Sequence, residues 1–140
     1  MNLASVFLDT AFVQALLNAR DQYHRQAIAF APALRQATAV WTTEAVLLEI
    51  GNALSASNRT GAATFIRGCY HTPNIHVVTV DTALLERALV LFDSHRDKTW
   101  GLTDCISFVV MTEQGLIDAL TADKHFQQAG FRALLLVEKS

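Results

Sequence analysis

Short apolar strands alternate with amphipathic helices along this chain, and that alternation constrains the fold more than any other feature. Residues 3–8, "LASVFL", read as a buried strand halted at Asp9, and "AFVQALLN" follows with apolar residues at helical spacing. Residues 22–38 carry a second helical pattern, which Pro32 is expected to kink or divide. "AVW" reads as a strand and "TTEAVLLEIGNALSAS" as a helix, with Thr42 or Thr43 available as N-cap. A further helix covers about 60–70, "TPN" turns the chain, and "IHVVTV" is a β-branched strand ending at Asp81. "TALLERALVLFDSH" is amphipathic, with its apolar stripe mostly core. "RDKTWG" is a polar loop, and "TDCISFVVMTEQG" is a buried helix stopped by Gly115. "DALTA" and "RALLLV" are the last two strands, on either side of the short helix "DKHFQQAG". Strands separated in this way by helices form a parallel sheet covered on both faces. No repeat, linker or low-complexity segment interrupts the pattern, so residues 1–140 are expected to form one α/β domain.

The bulk properties agree with this and narrow the function. With 51% hydrophobic residues the chain can bury a substantial core. No apolar run approaches the ~20 residues that span a bilayer. "MNLASVFLDT" has neither a basic head nor a small-residue cleavage site, so no signal peptide is expected and a cytoplasmic location follows. Cys69 and Cys105 form no metal or redox motif, and Cys105 falls on an apolar helix face, which suits a buried thiol. The five histidines, at 24, 71, 76, 95 and 125, show no metal-ligand spacing. Eleven basic against thirteen acidic residues leave a net charge of −2, so any nucleic-acid contact has to be local.

The acids are the chemically informative residues. In open parallel sheets the ligand crevice lies beyond the C-terminal strand ends. Asp9, Asp81 and Asp123 fall at or just past such ends, and Asp104 begins a helix. Taken singly, each has an ordinary explanation as a helix cap, and for Asp81 that explanation suffices. Glu49 is different. It lies mid-helix among Val46, Leu47, Leu48 and Ile50, is expected to be only partly exposed, and has no lysine or arginine one turn away. A hard divalent cation shared with other carboxylates would neutralise it. Two functions use such a cluster. Phosphodiester hydrolysis needs acids that hold Mg²⁺ or Mn²⁺ beside a water and the leaving oxygen. A phosphate-accepting signalling domain needs paired acids after the first strand and a lysine after the last, whereas "FLDT" has a single acid and only "EKS" follows "LLLV".

Four blocks in order, "FLDT" (7–10), "VLLEIGNAL" (46–54), "DKTWGLTDCISF" (97–108) and "ALTADKHFQQAGF" (119–131), resemble the PIN-domain ribonucleases, in particular the VapC-like toxins of toxin–antitoxin pairs. One block alone is weak, but four in family order, each centred on an acid, are specific and run the length of the chain. The resemblance implies an α/β/α sandwich with a central parallel sheet and Mg²⁺- or Mn²⁺-dependent cleavage of RNA. It implies an acidic site of Asp9, Glu49, Asp104 and Asp123, with Asp9 and Asp104 as primary metal ligands and Thr10 and Thr103 as supporting residues. It further implies a cognate antitoxin covering the active-site groove, and a homodimer using part of the 82–92 stripe. Lys98 and Lys124 are candidate phosphate contacts, with Arg96 and Arg132 further out. Trp100 suits packing better than base stacking, and His125 is placed to stack on a base. The competing reading, from a different class, is a PIN fold that grips RNA or protein without turnover; a stand-alone nuclease that is not a toxin also shares these blocks. Binding of Mg²⁺ or Mn²⁺ separates enzyme from module.

Overall fold

A computed structural model describes residues 4–137. Five strands form one wholly parallel sheet in the order β3-β2-β1-β4-β5. They are β1 (Ser5–Leu8), β2 (Ala39–Thr43), β3 (Ile75–Val78), β4 (Asp118–Leu120) and β5 (Arg132–Ala133). Leu3, expected to open β1, lies outside the described residues, as do residues 138–140. Seven helices flank this sheet: α1 (Thr10–Leu17), α2 (His24–Gln36), α3 (Glu44–Leu54), α4 (Arg59–His71), α5 (Thr82–Ser94), α6 (Leu102–Glu113) and α7 (Lys124–Gln128). The expected helix-flanked parallel sheet is therefore present.

The central strand explains the layout. Val6, Phe7 and Leu8 are fully buried, as a strand covered on both faces requires, and each such side chain contributes roughly 1.5–3 kcal/mol through burial. The chain leaves β1 for β2 and β3 on one side, then crosses to β4 and β5 on the other. Strand order thus reverses between β1 and β4, and a crevice opens beyond their C-terminal ends. Leu8 is in register with Leu120, so both strands end level. Asp9 follows the first and Asp123 lies three residues past the second.

Local details differ from expectation in three places. Pro32 neither divides nor ends α2, which runs unbroken through it. Its missing N–H would have bonded the carbonyl of Ile28, and both residues are solvent-exposed, so water can satisfy that oxygen. The strand expected over "RALLLV" is only Arg132–Ala133, because residues 134–136 curl into a turn closed by Leu136 N–H to Ala133 O. The stripe of α5 is less buried than expected. Leu84 and Ala88 enter the core, but Leu89 and Phe92 remain 43% and 45% exposed. Other signals hold. Thr43 rather than Thr42 caps α3, accepting the Val46 N–H at 3.2 Å. Gly115 stops α6 with φ +68°, while Leu116 N–H bonds back to Met111 O. Cys69 and Cys105 are buried free thiols.

Candidate active site

Asp9 leaves β1 as the N-cap residue of α1, yet its side chain makes no capping bond. It is only 4% exposed, and no cationic side chain pairs with it among the described residues. Its Oδ2 accepts the Thr121 hydroxyl at 2.7 Å. Burial pushes the Asp9 carboxyl from 3.8 up to about 7; the Thr121 hydroxyl and the Thr10 backbone amide oppose this, and the charges of Asp104 and Glu49 add to it. Asp9 is thus a desolvated acid close enough to two others to feel their charge.

Asp104 stands in the first turn of α6, where its Oδ2 accepts the Gly101 N–H at 3.0 Å. The same oxygen lies 2.9 Å from His125 Nδ1. Burial raises the Asp104 carboxyl above its ordinary range; the Gly101 amide opposes this, Asp123 raises it further, and His125 pulls it down. Asp123 caps α7, accepting the His125 N–H on Oδ1 at 2.9 Å, and its own N–H bonds Thr121 Oγ1 at 3.0 Å. Ligand-type atoms of Asp104, Asp123 and His125 lie within 4.8 Å of one another. Asp104 and Asp123 are caps and cluster members at once, so the two explanations do not compete.

Glu49 departs from expectation. It is exposed, as is Leu48 beside it, because Val46 and Ile50 form the buried face of α3. Burial therefore does not force a cation on it. Its charge still reaches Asp9 and adds to the rise of that carboxyl. Asp81 is a cap alone, following the edge strand β3 and accepting the Leu84 N–H at 2.8 Å. Thr10 is buried and its Oγ1 has no hydrogen-bond partner. Thr103 is half-buried, and its carbonyl accepts the Ser107 hydroxyl.

Two residues in this network lie outside the expected acidic set. Thr121 bridges Asp9 to the Asp123 backbone, and His125 bridges Asp104 to Asp123. The spacing T-x-D-x-H in "TADKH" is the available signal, since it sets a hydroxyl and an imidazole two residues either side of a strand-end acid. Aromatic packing supports the wall that carries them. Phe108 of α6 meets Phe126 of α7 edge-on at 5.0 Å, and Trp100 meets Phe108 likewise at 5.1 Å. Trp100 is buried, with its Nε1–H on Gln128 Oε1, which gives it the expected packing role. Among the candidate phosphate contacts, Lys98 pairs with Asp97, Arg96 with Asp93 and Arg132 with Asp118; Lys124 is exposed.

The donor set suits a hard divalent cation. It is rich in carboxylate oxygens, it includes a buried acid without a cationic partner, and Thr10 leaves a buried oxygen unsatisfied beside that acid. Acids converging at the switch point of a parallel sheet form an arrangement that can hold such a cation. A model of the PIN domain matches residues 6–132, and the chain belongs to the PIN domain family. It is 29% identical over 126 residues to the 23S rRNA-specific endonuclease VapC20 of Mycobacterium tuberculosis, in strains CDC 1551 / Oshkosh and ATCC 25618 / H37Rv, across 90% of this chain and 95% of that protein. The crystal structure of M. tuberculosis VapC20, a sarcin–ricin loop cleaving toxin, matches with a TM-score of 0.81 at 28% identity, covering 91% of this chain and 96% of that one.

Proposed function

We propose that this chain is a Mg²⁺- or Mn²⁺-dependent endoribonuclease of the VapC type, the toxin of a toxin–antitoxin pair acting in the cytoplasm. The observation that carries the reading is the buried, cation-free carboxylate of Asp9, set at the switch point within reach of Asp104 and Glu49. Asp9 and Asp104 would hold the metal, with Asp123 and Glu49 completing the pocket directly or through water. When bound, the ion supplies an activated water at neutral pH and stabilises charge on the leaving oxygen. The Thr121 hydroxyl turns one oxygen of Asp9 away and leaves the other for coordination. Gly101 N–H does the same for Asp104. Thr10 and Thr103 stand beside these acids, where they support the site. Lys124, the one candidate cation without an acid partner among the described residues, is the phosphate contact that the geometry favours, ahead of Lys98.

RNA as substrate rests on the family and on the named activity of VapC20, whose sarcin–ricin loop target is the first RNA to test. A cognate antitoxin is expected to set a basic side chain among the acids, because a cation is the occupant a metal-free cluster of like charges favours. A homodimer is expected through the Leu89 and Phe92 stripe of α5.

The test is cleavage of RNA with Mn²⁺ by the parent, Asp9→Asn and Asp104→Asn. Each amide keeps the side-chain shape and removes the charge, so each variant should lose cleavage while its circular dichroism is unchanged. Retained cleavage in either variant removes that residue from the mechanism, and an inactive parent on every RNA offered would favour the binding module.

A further inference from the structure

His125 makes more contacts within the acidic site than its sequence position suggests. Its backbone N–H bonds Asp123 Oδ1 at 2.9 Å. Its ring Nδ1 sits 2.9 Å from Asp104 Oδ2 and 3.4 Å from Asp123 Oδ1. On the far side, Nε2 lies 3.1 Å from the Thr99 hydroxyl, in the loop before α6. The ring is only 20% exposed, so this orientation is enclosed.

The donor and acceptor inventory makes these contacts mutually dependent. Asp104 Oδ2 accepts, so Nδ1 carries the hydrogen; a neutral ring then has a lone pair on Nε2, and the Thr99 hydroxyl is its donor. Asp104 Oδ2 is therefore held from two directions, by Gly101 N–H and by the ring, which leaves Oδ1 as the oxygen free to coordinate. A donor also stands between two carboxylates that would otherwise repel one another. We propose that His125, anchored by Thr99, is a positioning residue that fixes the carboxylate of Asp104 against Asp123 in the geometry that receives the metal. The ring acts by donation to Asp104 and not as a metal ligand, because the nitrogen facing both acids already carries the hydrogen. Aligning a ligating carboxylate through a hydrogen bond is a general way to tune metal affinity.

This inference rests on the metal-dependent reading above, and the experiment separates the two. Mn²⁺ affinity is measured by titration calorimetry for the parent, His125→Ala, His125→Asn, Thr99→Val and the Thr99→Val/His125→Asn pair, with RNA cleavage followed in parallel. His125→Ala should weaken Mn²⁺ binding roughly 10- to 100-fold. Asparagine sets an amide nitrogen close to the place of Nδ1, so His125→Asn should recover most of the affinity. Thr99→Val should give a smaller loss that vanishes in the His125→Asn background, where the contact to Nε2 no longer exists. Parent-like affinity in His125→Ala overturns the proposal, and so does a His125→Asn protein as weak as His125→Ala. A parent that binds no Mn²⁺ overturns it as well. A parent that binds Mn²⁺ but leaves RNA intact overturns the ribonuclease reading, while the affinity series still decides the role of His125.

Discussion

Asp9 combines two properties that oppose one another in a metal-free protein: it is buried, and its neighbours are anionic. Its folded pKa of about 7 lies above the ordinary 3.8, so between those values the folded state keeps a proton that the unfolded state has released. The unfolded chain then binds fewer protons, and the linkage relation gives a stability that falls as pH rises. Below about pH 4 both states are protonated and the effect vanishes; above about pH 7 both are ionised and the loss is complete. At about 1.4 kcal/mol per tenfold change in proton affinity, Asp9 alone costs the metal-free fold on the order of 4 kcal/mol at pH 8. Urea melts in chelator from pH 4 to 8 should therefore show stability declining across that window, and Asp9→Asn should flatten the decline. An unchanged slope in Asp9→Asn would place the titration elsewhere. The same residue shows what the sequence discloses. That an acid follows β1 is plain from "FLDT", but that the acid is nearly closed to water depends on how α1 and β4 cover it. Thr121, 112 residues away, supplies its hydrogen bond, and the T-x-D-x-H spacing that flags Thr121 does not disclose which distant acid it meets.

Helices carry the acids in two ways, and the difference can be measured. Asp81 accepts one backbone N–H at the start of α5 and faces no other acid of the cluster. Asp81→Ala should cost about 0.5–2 kcal/mol of stability, a typical cap loss, and leave Mn²⁺-dependent cleavage unchanged. A cleavage defect that exceeds the fraction unfolded would give Asp81 a role beyond capping. Asp104 and Asp123 also receive backbone N–H groups at helix starts, so the cap signature in the sequence cannot by itself sort one kind from the other. Strand order sorts them. β1 and β4 flank the switch point, whereas β3 lies at the edge. Periodicity discloses which segments are helices and where they stop, as Gly115 and Thr43 show. It does not disclose how a helix rolls on the sheet. Glu49 illustrates this: its neighbours Val46 and Ile50 are apolar, yet the roll of α3 turns Glu49 and Leu48 to solvent. The short α7 hides His125 for a related reason, since the ring meets Asp104 only through the packing of α7 on α6, 21 residues apart in sequence.

At the scale of the molecule, α5 leaves apolar surface that its own chain does not cover. Leu84 and Ala88 face α6 and the core, while Leu85, Leu89 and Phe92 follow at helical spacing along a neighbouring stripe. Leu89 and Phe92 are 43% and 45% exposed, and a helix that keeps such residues outward on one stripe is suited to an isologous contact with a second copy. Substituting a charge there strands an anion in an apolar contact, whereas on a free surface the same charge is simply hydrated. Sedimentation velocity at micromolar concentration should therefore show a dimer for the parent and a monomer for Leu89→Asp/Phe92→Asp. The double variant should keep the parent's circular dichroism, because neither side chain is part of the buried core. Asp9 follows β1 and Asp104 stands in the first turn of α6, so neither is on α5. Mn²⁺ binding by the monomeric variant should consequently match the parent. A monomeric parent would remove the dimer and leave the site untouched; a dimeric double variant would move the interface to another face. If Mn²⁺ affinity falls along with the dimer, the second copy helps to shape the metal pocket, and a site drawn from one chain is incomplete.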